Sequence, residues 1–133
     1  MSTSVVALDE QDTILQAARR MADEHVGALP VLGEGGRLRG LITDRDIVLK
    51  VVALGQDPAQ TRAGDIAQGQ VVAVRPDASL EEAVRLLRDK DVRRLPVLDD
   101  EQQLIGMISE ADLARELPPE QAVELLQAIA SGP

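Results

Sequence analysis

The sequence predicts a mixed α/β (α+β) fold built from two similar halves. Each half reads strand, helix, strand, strand, helix, and one further helix closes the chain. Three observations predict this. The stretch Gly40-Leu41-Ile42-Thr43-Asp44-Arg45-Asp46 returns as Gly106-Met107-Ile108-Ser109-Glu110-Ala111-Asp112, and the same offset of 66 residues aligns the rest of the halves without a gap. About 15 positions between Val5 and Val48 match their offset partner, which marks an internal repeat. Helical and strand-like apolar spacing also alternate at the same places in both halves, with cap and turn residues between them.

In chain order, Val5-Val6-Ala7-Leu8 reads as a short buried strand, with Val71-Val72-Ala73-Val74 as its counterpart. Thr13 with Gln16, and Ser79 with Glu82, are capping-box pairs that start helices. Ile14, Ala17, Ala18 and Met21 then share one face of the first helix, as Leu80, Ala83, Val84 and Leu87 do in the second. Next, Ala28-Leu29-Pro30-Val31-Leu32 and Arg37 to Ile42 flank the turn Gly33-Glu34-Gly35-Gly36, while Arg94 to Leu98 and Gln103 to Ile108 flank Asp99-Asp100-Glu101-Gln102. Both read as hairpins. Pro30 and Pro96 lack a ladder N–H, so that end of each strand belongs at an edge or an irregularity. A closing helix is expected from Asp44 through Ala53, with Ile47, Val48 and Val51 apolar, ended by Gly55 and Pro58. A single turn is expected at Ala63 to Ala67 in the link that follows. The second closing helix stops at Pro118-Pro119, and Glu120 to Ala130 forms an amphipathic helix with Val123, Leu126 and Ala130 on one stripe, beside Leu125 and Ile129. The expected organisation is a first repeat over 1–57, a link and second repeat over 58–117, and a terminal helix over 118–133.

Composition narrows the function. The 133 residues are 44% hydrophobic and 28% charged, a globular balance, and half the chain alone would bury too little surface to be more than marginally stable. The two halves are therefore expected to share a core. Without Phe, Tyr or Trp that core is aliphatic, and no aromatic ring is available to stack on a base. A net charge of −9 with no basic stripe speaks against nucleic-acid binding. Zero Cys and one His remove disulfides, a cysteine nucleophile and the usual zinc clusters. Apolar runs are too short for a membrane span or a secretion signal, so a cytoplasmic location is expected.

The repeated turn carries the chemistry. In each copy a hydroxyl residue is followed three positions later by an aspartate: Thr43 and Asp46, then Ser109 and Asp112. This is the pattern of a helix N-cap with a carboxylate one turn inside, next to unpaired backbone N–H groups. Such a turn accommodates an anionic group and a sugar hydroxyl together, since the carboxylate accepts from hydroxyls and the helix start favours phosphate. The same residues also serve as caps and nothing more, and duplication copies a cap as faithfully as a ligand site. His25 reads as a surface or cap residue, and no nucleophile or metal motif supports catalysis.

These residues carry a family resemblance. Leu29-Pro30-Val31 with Gly40-x-x-Thr43-x-x-Asp46, and Leu95-Pro96-Val97 with Gly106-x-x-Ser109-x-x-Asp112, resemble a tandem pair of cystathionine-β-synthase type (CBS) domains, the Bateman module, over roughly Val5 to Leu117. The resemblance implies two repeats related by a pseudo-twofold and packed through their sheets, with clefts that take adenosine-containing ligands. It implies that Asp46 and Asp112 meet ribose hydroxyls, that Thr43 and Ser109 meet phosphate or ribose, and that residues around Leu-Pro-Val, Ala28 among them, enclose the base. Basic residues just before that strand meet phosphates in the family; Arg93 and Arg94 stand there in the second repeat, whereas the first has Gly27 and Ala28. With acids in both turns and a net charge of −9, an AMP-like or adenosyl compound such as S-adenosylmethionine is expected ahead of ATP, with Mg²⁺ needed only for a polyphosphate. The resemblance further implies a homodimer, no enzymatic activity, and a signal passed in trans to a separate effector protein. The second site is expected to bind more tightly, and an interaction protein with empty clefts is the alternative.

Overall fold

The computed structural model describes residues 6–67, 72–89 and 94–130, and of residues 112, 124–126 and 128–130 the backbone alone. The chain is mixed α+β and divides into two compact units, one over Val6–Val71 and one carried by the chain from Val72 onward. The residues that link the repeats thus form part of the first unit.

The first unit contains β1 (Leu8–Asp9), α1 (Ile14–Glu24), β2 (Ala28–Leu32), β3 (Leu38–Thr43), α2 (Asp44–Ile47) and α3 (Ala63–Ile66). Its sheet runs β1-β2-β3, with β1 parallel and β3 antiparallel to β2. The strand expected over Val5 to Leu8 is shifted and shorter: pairing occurs only at Leu8↔Val31 and Asp9↔Leu32. Pro30 supplies the reason, because it has no N–H to offer a neighbour and the ladder toward β1 begins after it. At the Pro-bearing end of the central strand no ladder pairing toward β1 occurs among the described residues, although Leu29 and Pro30 are buried. Val5 and Val71 lie outside the described residues. Thr13 caps α1 in a complete box, its hydroxyl accepting from the Gln16 N–H at 3.2 Å and the Gln16 side chain accepting from the Thr13 N–H at 2.7 Å. His25 ends that helix at a left-handed φ of 55° and is exposed. Leu8, Ile14, Ala17, Met21, Leu29, Val31, Ile42, Ile47 and Val51 fill the core.

The closing helix of this repeat also departs from expectation. It is α-helical only over Asp44–Ile47, then widens into a π-helical turn over Val48–Val52. There the Ala53 N–H reaches the Val48 carbonyl at 2.8 Å and the Gln56 N–H reaches that of Val51 at 3.0 Å, both five residues back. Ile47 and Val51 stay in the core, while Val48, expected on the apolar face, is 55% exposed. Three β-branched residues in five positions fit an α-helix poorly, and wider turns of this kind relieve such crowding. Gly55, at φ 71°, stops the segment.

The second unit repeats the plan with α4 (Leu80–Asp89), β4 (Arg94–Leu98), β5 (Leu104–Ser109), α5 (Glu110–Glu116) and α6 (Pro119–Ala130). In place of β1 it has a single parallel bridge, Val74↔Val97, the offset partner of Leu8↔Val31. The hairpins match residue for residue, down to a register irregularity at Val31/Leu32 and at Val97/Leu98. Their turns differ in chemistry. Gly35 and Gly36 take φ 69° and 76° in the first, whereas the second puts Gln102 at φ 65°. The Asp99 carboxylate compensates by accepting from the N–H groups of Glu101 and Gln103, each at 2.9 Å. Pro119 is the first residue of α6, where a missing N–H costs nothing. Of the expected apolar stripe, Val123 is 54% exposed, and the side chains of Leu125, Leu126, Ile129 and Ala130 lie outside the described set.

Candidate ligand site at the strand-to-helix turns

Antiparallel pairing builds each turn. Ala28 opens β2 opposite Thr43, the last residue of β3, and the Asp44 N–H binds back to the Gly27 carbonyl at 2.9 Å. Ala28, Thr43 and Asp46 are thereby brought to one end of one sheet. Thr43 then caps α2: its Oγ1 accepts from the Asp46 N–H and Asp46 Oδ2 accepts from the Thr43 N–H, both at 3.0 Å. This reciprocal box is the plain capping arrangement, but it leaves groups over. The Thr43 hydroxyl keeps its own hydrogen to donate, and among the described residues Asp46 Oδ1 meets only Lys50 Nζ, at 3.4 Å, on a side chain half in solvent. Lys50 was visible in the sequence as the i,i+4 partner of Asp46 and was passed over. The Asp44 carboxylate is committed locally, with Oδ1 accepting from the Arg45 N–H at 2.8 Å. A Cβ at residue 27 would lie 3.1 Å from Asp44 Oδ2, so glycine gives that carboxylate room.

Gly40 in the motif has a packing role. Any Cβ there would come within 3.2 Å of the Ala67 backbone, at the end of the short helix α3. It lets β3 and α3 approach each other and touches none of the polar groups of the turn.

In the second unit, Arg94 pairs with Ser109 in the register that sets Ala28 against Thr43. The Arg94 residue is half-buried and its guanidinium has no partner among the described residues. Asp112 occupies the third position of α5, as Asp46 does in α2, and its side chain is outside the described set. Arg93 lies outside the described residues altogether. Glu110, one of the acids that the sequence places in the turns, has its Oε2 buried with no hydrogen-bond partner among the described residues. Its counterpart Asp44 has such a partner, so the two turns differ in free acceptors as well as in basic residues. No group of three or more His, Cys, Asp or Glu among the described residues is placed to hold a metal ion.

A family model for the CBS domain matches residues 1–53 and again residues 63–119. The chain belongs to the CBS domain family. As a CBS pair it is 40% identical over 131 residues to hypoxic response protein 1 of Mycobacterium tuberculosis, covering 98% of this chain and 91% of that one. A crystal structure of hypoxic response protein I with two coordinated zinc ions superposes with a TM-score of 0.81 at 40% identity, over 89% of this chain and 95% of the other. CBSX2 in complex with AMP gives a TM-score of 0.73 at 25% identity, over 85% and 87%. The cytosolic domain of the Mg²⁺ channel MgtE in complex with ATP gives 0.74 at 32% identity, over 88% of this chain but 46% of that one. Two homoserine O-acetyltransferases also match, yet the CBS pair spans only 22% of their length, so the likeness does not extend to most of either enzyme. No helix among the described residues is long and apolar enough to cross a membrane.

Proposed function

We propose that this CBS pair is a non-catalytic, cytoplasmic regulatory module that binds an adenosine-containing ligand at its strand-to-helix turns. An AMP-like or adenosyl compound is favoured over ATP, with Mg²⁺ engaged only by a polyphosphate. The observation that carries the reading is the turn at Thr43, whose hydroxyl keeps its donor hydrogen beside an Asp46 carboxylate with an oxygen held only by a half-exposed lysine, in a sequence pattern that returns at Ser109 and Asp112 and in a chain whose structural relatives hold AMP and ATP. Thr43 and Ser109 are assigned to phosphate or ribose, Asp46 and Asp112 to ribose hydroxyls, Ala28 to the base, and Arg93 and Arg94 to phosphate. The module works as a homodimer and signals in trans by a population shift between states, which a ligand drives only through its differential affinity for them.

The closed capping box of Thr43 and Asp46 favours a second reading, an interaction protein without nucleotide, at least in the first repeat. Calorimetric melting with AMP, ADP, ATP, S-adenosylmethionine and NADH separates the two, since no Trp or Tyr is present to report by fluorescence. Ligand at 100 times Kd stabilises by about 2.7 kcal/mol. For a domain of this size that raises Tm by about 8 °C. A flat response to all five at millimolar concentration removes the nucleotide reading.

A further inference from the structure

The two repeats treat the head of their first helix differently. In the first unit the link covers it: the Ile14 N–H binds the Thr61 carbonyl at 2.9 Å, the Leu15 N–H binds that of Pro58 at 3.1 Å, and Thr13 bridges Arg62. Ile14 is fully buried beneath this turn of backbone. Its offset partner Leu80, at the head of α4, is 37% exposed, and no described backbone carbonyl takes the place of Pro58 or Thr61. The residues that follow the second closing helix fold into α6 instead, and they leave a groove of about 450 Å³ between Leu80, Val84 and Arg88 on α4 and Leu117 and Gln121 opposite.

We propose that this groove is a docking site for an acidic turn of a partner protein, seated where the link sits on α1. Backbone shape is indicated by the first repeat, in which a turn closed on Asp57, with the Gln60 N–H on the Asp57 carbonyl at 3.0 Å, covers the equivalent helix start. Charge is indicated by Arg85 and Arg88, one helical turn apart on the groove wall. Neither guanidinium has a hydrogen bond or ion pair among the described residues, although the chain holds 23 acidic side chains and Glu81 stands at the i,i+4 position before Arg85. Two free guanidiniums against the single carboxylate of Glu81 make the groove locally basic in a chain of net charge −9, a match for carboxylates presented in pairs. Leu80, Val84 and Leu117 form the apolar floor on which small side chains of such a segment rest. This surface is independent of the nucleotide reading and gives the module a place to pass its signal.

The probe is an acetylated, amidated peptide copying residues 57–62 with Gln60→Glu and Arg62→Glu, titrated into the full ¹⁵N-labelled chain at low salt. A control peptide carries Asp57→Asn and Arg62→Gln. Saturable shifts at α4, Leu117 and Gln121 are expected, with affinity for the acidic peptide at least fivefold above the control. The Arg85→Gln/Arg88→Gln double variant, checked by its melting curve, is expected to bind both peptides alike. Equal affinity of the two peptides for the wild-type chain, absence of saturable shifts, or shifts centred on Thr43 or Ser109 would each overturn the proposal. So would self-association of the peptide-free chain that the double variant abolishes, since the groove would then belong to a second copy.

Discussion

Asp46 is the residue at which capping and ligand binding can be measured separately. Replacing it by Ala removes the acceptor for the Thr43 N–H, the ion pair to Lys50 and a negative charge in the first turn of α2. The lost box accounts for about 1 kcal/mol. The charge at the helix start adds roughly 0.5 kcal/mol. Lys50 is half exposed, so the pair adds only about 0.3 kcal/mol after solvent screening. The expected loss is therefore about 1.8 kcal/mol, read as a lower urea midpoint by far-ultraviolet circular dichroism at unchanged slope. Thr43→Ala is expected to cost about 1 kcal/mol on the same grounds. Because Thr43 and Asp46 bond reciprocally, the double variant should lose less than the sum, by roughly 0.5 kcal/mol or more.

Asp46→Asn then isolates the ligand. Its amide oxygen still accepts from the Thr43 N–H, so stability should change by under about 0.5 kcal/mol. The charged acceptor for a ribose hydroxyl is gone, and a charge-assisted hydrogen bond of about 1.5–3 kcal/mol corresponds to a loss of roughly 10- to 100-fold in AMP affinity by calorimetry. Equal affinity of Asp46→Asn and wild type would refute the assignment of Asp46 to ribose. An additive Thr43/Asp46 pair would refute the reciprocal box itself.

Two further substitutions test the packing that positions the turns. At Gly64 a methyl group would lie 2.9 Å from Glu10 Cβ and 3.1 Å from the Glu10 carbonyl, so Gly64→Ala should destabilise by about 1–3 kcal/mol in urea melts. A change under half a kcal/mol would mean that α3 and β1 are not in that contact. Gln102→Gly relieves the left-handed φ of 65° in the second hairpin and should be neutral to stabilising by up to about 1 kcal/mol, whereas Gly35→Ala at φ 69° should destabilise by a similar amount.

Much of this was legible in the sequence because it is local and occurs twice. Thr13 with Gln16 and Thr43 with Asp46 announce helix starts by residue type and spacing alone, and both form the boxes that spacing implies. The hairpins follow for the same reason, since turn residues and apolar alternation are short-range signals. What escaped depends on partners distant in sequence or on competition between them. The length of β1 is set by Pro30, some twenty residues later, and the π-helical turn arises from crowding that no apolar pattern encodes. Lys50 was readable and overlooked. The isolation of Glu110 Oε2 and the openness above Leu80 are properties of what does not reach them, which periodicity cannot express.

Duplication therefore sharpens the functional argument at the positions where the copies differ. Part of what both repeats keep follows from the fold: Leu-Pro-Val from strand register, Gly40 from close packing against Ala67, and the Thr43–Asp46 pair in part from capping. These demands give no reason for Gly27 and Ala28 to stand where the second repeat has Arg93 and Arg94 in sequence, or for Asp44 to have a hydrogen-bond partner while Glu110 Oε2 has none among the described residues. Nor do they explain why one helix head is roofed by its own link while the other, among the described residues, has no such roof and stands beside two arginines without a partner. A difference that the fold does not require is where selection for a ligand or a partner is free to act. Among the described residues these differences leave the second repeat with more unsatisfied chemistry, at Arg94, Glu110 and the head of α4. AMP affinity should accordingly fall further for Arg94→Ala than for Ala28→Gly, and equal losses would show that the asymmetry has no bearing on binding.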